Sequence, residues 1–203
     1  MDYFVIFGFT AVILSMISYI PYIYHLFKNK TKPHIFSWFL WGLLSGIAFL
    51  AQINENAGPG SWVVGFTAAI CLFIAAASYI KYKKDYVTKF DWVCFITAIF
   101  GVILWVVTDN ALNAVIVVTV VDALAFIPTF RKTFINPHEE TVITFMLSAI
   151  TMALGLAALE NFNLTTALYP ASLVFTNILF VLMTLARRKN NKTSRAGLEP
   201  TTP

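Results

Sequence analysis

The stretch Phe27-Lys28-Asn29-Lys30-Thr31-Lys32-Pro33-His34 separates two long apolar runs, and its lysines open a pattern that decides the fold. Three more basic stretches follow: Lys81, Lys83, Lys84 and Lys89; Arg131 and Lys132; Arg187, Arg188, Lys189, Lys192 and Arg195. All 14 Lys and Arg residues fall in these four places. The intervening connections hold Glu55, Asp109 and Glu160 and no base. Basic loops stay on the cytoplasmic side of a membrane, so this alternation predicts a polytopic membrane protein and its orientation.

Composition agrees. Mean hydropathy is +0.75 and 12% of residues are charged, where a soluble domain carries about 25%. The net charge of +4 is confined to loops and tail, which excludes a nucleic-acid-binding reading. Cys71 and Cys94 sit inside apolar runs, so no disulfide framework is expected. The first apolar run is too long for a signal peptide and has no upstream base, so it reads as a true span.

A helix needs about 20 apolar residues to cross the hydrocarbon core. Seven segments meet or approach that length: Tyr3–Phe27, Ile35–Ile53, Ser61–Ile80, Trp92–Thr108, Ala111–Phe130, Thr141–Leu159 and Leu164–Ala186. The fourth is the shortest, and the charge alternation demands it. An odd number of spans puts the amino terminus outside and the basic carboxyl terminus in the cytoplasm. The polar residues 190–203 read as a disordered cytoplasmic tail.

Sliding the chain against itself by 107 residues superposes Ile20-Pro21 on Ile127-Pro128, Leu40 on Leu147, Asn54 on Asn161 and Asn56 on Asn163. In both halves a Pro near the end of a span precedes a basic loop and two further spans. The predicted fold class is therefore all-α integral membrane, with seven transmembrane helices in two parallel three-helix repeats joined by a linker helix. Residues 1–82 form the first repeat, 83–109 the linker and 110–189 the second repeat, with 190–203 as tail.

With Tyr19-Ile20-Pro21, Lys28-Asn29-Lys30-Thr31-Lys32 and Ser37-Trp38, and with Phe126-Ile127-Pro128-Thr129-Phe130-Arg131 in the second half, the chain resembles the SWEET and PQ-loop (MtN3-like) superfamily of small transporters. The resemblance covers roughly residues 3–188. It departs where Tyr22 and Thr129, not Gln, follow the two prolines. The resemblance implies a carrier with a central site and places Asn177 where such proteins carry an Asn in the third span of a repeat. Ile70 and Cys71 stand at the matching place in the first repeat, and Cys71 joins the expected lining. Trp38 and Trp41, in Trp38-Phe39-Leu40-Trp41, also weakly resemble the pair in nicotinamide riboside transporters.

Asp122 is the acid that lies well inside an expected span. A carboxylate at membrane depth is costly unless it faces a wet cavity or is protonated, so it is the expected proton-coupling group; a structural alternative is a protonated Asp bonded to a neighbouring helix. Asn177 can donate to and accept from a polar solute, or bond between helices. Trp38 and Trp41 share one helix face. They suit stacking on a solute, although Trp38 also suits the interfacial aromatic belt, as do Trp62, Trp92 and Trp105. Ser148 is the repeat partner of Trp41 and would give the pocket one polar wall. Ser45, Thr144 and Thr151 add hydroxyls whose ordinary role is packing. Pro21 and Pro128 read as hinges, because each removes a backbone donor. Gly42, Gly46 and Gly155 suit close helix approach, and Glu139 and Glu140 suit the start of the sixth helix. His25, His34 and His138 are too scattered for a metal site.

These residues predict a transporter of the plasma (inner) membrane for a small neutral or zwitterionic solute, a sugar or an amino acid, working by alternating access with proton coupling through Asp122. No cofactor, metal, nucleic acid or enzymatic activity is expected. The partners are the solute and the lipid bilayer, and the protein is a monomer or homo-oligomer. The alternative is a non-transporting receptor or assembly factor on the same scaffold, using its basic loops.

Overall fold

The structure is a computed structural model that describes residues 2–82 and 89–196, leaving aside the side chains at 90, 91, 94, 98, 101, 102, 128 and 190–196. Lys83, Lys84 and residues 197–203 of the tail lie outside the described residues. Among the described residues the secondary structure is helical throughout: α1 (Tyr3–Phe27), α2 (Ile35–Asn54), a 3-10 turn (Gly58–Ser61), α3 (Trp62–Tyr82), α4 (Lys89–Thr108), α5 (Ala111–Ile135), α6 (Val142–Ala157) and α7 (Leu164–Ala196).

The boundaries have local causes. Asp2, His34 and Asn110 cap α1, α2 and α5 by accepting from the backbone N–H of Phe4, Ser37 and Leu112, which satisfies donors a helix start leaves open. The connections turn through left-handed residues of the types that tolerate it, Asn29, Asn56 and Asp109. Among the described residues five helical stretches are long and apolar enough to cross a membrane: Tyr3–Phe27, Ile35–Asn54, Gly58–Tyr82, Ala111–Ile135 and Leu164–Lys189. Their outward faces carry exposed apolar side chains such as Ile20, Tyr79 and Ile80, which water would not favour and lipid would. These long apolar helices point to membrane integration.

The expected spans are altered in three places. Helix α6 has 16 residues and reaches about 24 Å, short of the bilayer core of about 30 Å. Against the expected Thr141–Leu159 it begins at Val142 and ends at Ala157; Glu139 and Glu140 precede it in a bend and do not open the helix, and Glu140 instead turns inward to an ion pair. Helix α5 runs on to Ile135, so Arg131 and Lys132 lie in its last turns and not in a loop. Residues 190–196, expected as disordered tail, continue α7.

Helix α2 packs on α3 and α6 on α7; α1 touches α3 and α5 touches α7. Between these groups α1 packs on α6 and α2 on α5, while α4 lies mainly against α5. Glycine permits two of the closest approaches. A Cβ on Gly60 would stand 2.7 Å from the Gly155 carbonyl oxygen and 2.8 Å from the Leu159 nitrogen, and one on Gly42 would meet Leu72 at 2.6 Å. Gly46, expected to serve the same purpose, faces open space. Gly60→Ala is therefore expected to destabilise the protein by about 1–3 kcal/mol through overpacking against backbone. Gly46→Ala is expected to be neutral or to stabilise by up to about 1 kcal/mol through helix propensity. Thermal unfolding of both variants in detergent checks the contrast.

Candidate functional site

A cavity lies where α1, α2, α3, α5, α6 and α7 meet. Helix α2 contributes Trp38, Trp41 and Ser45; α5 contributes Asp122 and Phe126; α7 contributes Tyr169 and Asn177. Tyr19, Cys71 and Ser148 close it from α1, α3 and α6. The structure thus brings together Asn177, Trp41, Ser148, Trp38, Cys71 and Asp122, which the sequence placed on five separate helices. Trp38, which also suited the interfacial belt, is 4% exposed and lines the cavity instead. Trp62 and Trp92 are exposed, as belt residues would be.

The polar groups form a short chain. Tyr169 donates its hydroxyl to Asp122 Oδ1 at 3.1 Å, and that hydroxyl lies 3.0 Å from Ser45 Oγ. Asp122 is 1% exposed, and no Lys, Arg or His is among the cavity-lining residues. Asn177 donates to the Leu173 carbonyl one turn back at 2.7 Å, which uses one of its two amide hydrogens. Trp41 Nε1 is buried without a hydrogen-bond partner, although a buried N–H normally has one. Tyr169 was not foreseen, and neither was its neighbour Pro170, which lies inside α7; a Tyr-Pro pair in the first two turns of a span was the available signal.

The space open to water-sized molecules is about 40 Å³, room for a few waters, since one needs about 10–15 Å³ on this measure. Both ends are shut. Toward the basic loops, aromatic rings pack in series: Trp41 on Phe126 (4.7 Å), Trp38 on Tyr22 (4.7 Å) and Phe145 on Phe180 (4.3 Å). Below them Glu140 pairs with Lys132 at 2.8 Å and accepts from the Tyr22 hydroxyl at 3.4 Å. Lys132 also donates to the Lys32 carbonyl, and Thr141 bonds His25 and Thr31. At the opposite end Gln52 donates to the Thr166 carbonyl at 2.7 Å. That carbonyl is the one Pro170, four residues on, cannot serve, so α2 supplies the donor that α7 lacks.

Pro21 lies within α1, which continues to Phe27; Pro128 lies within α5, and its side chain is outside the described residues. Three residues before each, a carbonyl accepts from the opposing group of helices. Thr144 Oγ1 donates to the Ser18 carbonyl at 3.0 Å and Ser37 Oγ to the Ala125 carbonyl at 3.4 Å. Donors and acceptors of these two bonds are each offset by 107 positions.

Outside the spans, burial pushes the Glu140 carboxyl above its ordinary value of 4.5, and the Lys132 charge only partly offsets that. An acid whose folded value is raised holds its proton more tightly in the folded protein. Stability from this group is therefore fully present at pH below its ordinary value and is lost as pH rises through the raised one. The expected result is that wild type loses thermal stability as pH rises from about 4 upward, with a component that Glu140→Gln removes. Melting curves of the two proteins across that range check it.

No family model matches the chain, and neither a curated protein nor a solved structure matches it.

Proposed function

We propose that the protein is a small-solute transporter of the plasma membrane, resembling the SWEET and PQ-loop superfamily, in which two three-helix bundles rock about a central cavity. The observation that carries this reading is the cavity itself. It holds Asp122, Asn177 and an unpaired indole N–H at membrane depth, where polar groups are costly without a use. At the basic end Trp41 on Phe126, Tyr22 to Glu140 and Lys132 to the Lys32 carbonyl join α1–α3 to α5–α7, and Gln52 to Thr166 does so at the other, so parting the two groups of helices at one end would open the cavity to that side.

The duplicated architecture has support at atomic level. Exchanging α1, α2 and α3 for α5, α6 and α7 maps the contacts among these six helices onto themselves, leaving α4 and the 3-10 turn aside. It maps the Thr144–Ser18 bond onto Ser37–Ala125. It also pairs the lining residues Tyr19 with Phe126, Trp38 with Phe145, Trp41 with Ser148 and Ser45 with Met152, all at the same offset. On this reading α4 and α6 also span, α6 by tilting less or thinning the bilayer; the amino terminus is outside and the basic ends are cytoplasmic. Pro21 and Pro128 sit beside the carbonyls bonded across the bundle interface and serve as its hinges.

The test is uptake of labelled sugars, amino acids, nucleosides and amines into proteoliposomes, with and without a pH gradient. Saturable uptake above protein-free vesicles supports a carrier. Folded protein that moves nothing overturns it in favour of a receptor or assembly factor.

A further inference from the structure

We propose that the cavity binds a small organic ammonium ion of single positive charge, which competes with a proton for Asp122. This rests on the carrier reading and assigns its cargo. The argument is charge balance. The lining offers one carboxylate and no base among the described residues. A buried charge must be paired, so Asp122 is matched either by a proton or by one cation. A zwitterion bound to the charged carboxylate would leave its own carboxylate with no cationic partner. An anion would meet only repulsion.

The walls point the same way. Tyr19, Trp38, Trp41 and Phe126 line the cavity on the side toward the basic loops, and aromatic faces attract ammonium groups, Trp most strongly. Trp41 Nε1, with no partner in the structure, supplies a donor for an oxygen elsewhere on the ligand. An amine that also carries a hydroxyl satisfies both groups at once. The available space suits a few heavy atoms.

Exchange follows from sharing. When the ammonium ion binds, the Asp122 carboxyl releases its proton to water; when the ion leaves, a proton returns. Each occupied form then carries the same net charge. The other titratable groups facing Asp122 are Tyr169 on α7, Tyr19 on α1 and Cys71 on α3, all lining the cavity. Helices α2 and α6 bring none to the lining. On α4, which packs on α5, the side chains of Asp91 and Cys94 lie outside the described residues.

The experiment uses the full-length protein and three probes of similar size: ethanolamine, glycine and ethylene glycol. Calorimetric binding in detergent is measured across the neutral pH range, followed by flux into proteoliposomes corrected for protein-free vesicles. The expected result is ethanolamine binding that weakens up to tenfold per pH unit on acidification, with entry coupled to proton exit and insensitive to membrane potential. Asp122→Asn flattens the pH profile and weakens binding, whereas Tyr169→Phe keeps the carboxylate and retains the pH dependence. Ethanolamine binding with proton competition but no flux of any probe upholds the ammonium site and overturns the carrier. Transport of glycine or ethylene glycol without ethanolamine binding overturns the ammonium site and leaves the carrier standing. Neither binding nor flux from folded protein overturns both.

Discussion

Asp122→Asn is expected to abolish gradient-driven uptake while leaving the fold intact. Asn has the shape of Asp, and its carbonyl can still accept from the Tyr169 hydroxyl that now reaches Asp122 at 3.1 Å. What is lost is the charge and the exchangeable proton. Removing one member of a buried hydrogen-bonded charge pair costs about 2–5 kcal/mol, so binding of a cationic cargo should fall by about 30-fold or more. Tyr169→Phe removes one hydrogen bond to a charged group, worth about 1.5–3 kcal/mol, and should give a smaller loss. Uptake rates and melting temperatures measured together separate the two effects: a variant that melts early and transports nothing would show only that Asp122 is structural.

The second large effect is expected at the basic end. Lys132→Met leaves Glu140, 5% exposed, without its cation. Breaking a fully buried pair costs about 3–5 kcal/mol; with the Lys132 side chain 24% exposed, about 2–3 kcal/mol is the reasonable expectation after allowing for solvent screening. Lys132→Met combined with Glu140→Gln should recover most of that loss, because the uncompensated charge is then gone. A double-mutant cycle on thermal or denaturant unfolding measures the coupling. A double-variant loss equal to the sum of the two single losses would mean that the pair contributes nothing beyond its packing.

How much of this was legible in the sequence follows the physics of each signal. Helix positions were readable because lipid demands long apolar runs, and the alternation of basic loops located most of their ends to within a few residues, α5 and α7 running on past theirs. The place of Glu139 and Glu140 was not readable: they resemble a favourable first turn, and only the fold reveals that Lys132 and Tyr22 draw Glu140 inward. The extension of α5 past Phe130 was missed for a related reason, since charged residues read as loop when their partners are unseen. In the site, Asp122 and Asn177 announced themselves by polarity at depth. Trp38 was ambiguous because an aromatic near a span end has two ordinary uses, and burial decides between them. Tyr169 and Gln52 gave no periodic signal; their roles depend on Asp122 and on the carbonyl freed by Pro170, contacts that join distant parts of the chain.

The offset of 107 positions that links Trp41 to Ser148 and Ser45 to Met152 also links Asp122 to Ser15. Had the two halves been separate identical subunits, every feature of one wall would be repeated on the other, and an odd number of carboxylates would be impossible. Two facing acids would repel, hold at least one proton between them and select a different stoichiometry. Joining the halves in one chain lifts that parity restriction. On the proposed duplicated architecture each half can drift independently, so one half can specialise in charge and the other in indole and aromatic surface. If the protein is the carrier proposed above, introducing an acid at Ser15 would thus change how many charges move per cycle, not merely how fast the cycle runs.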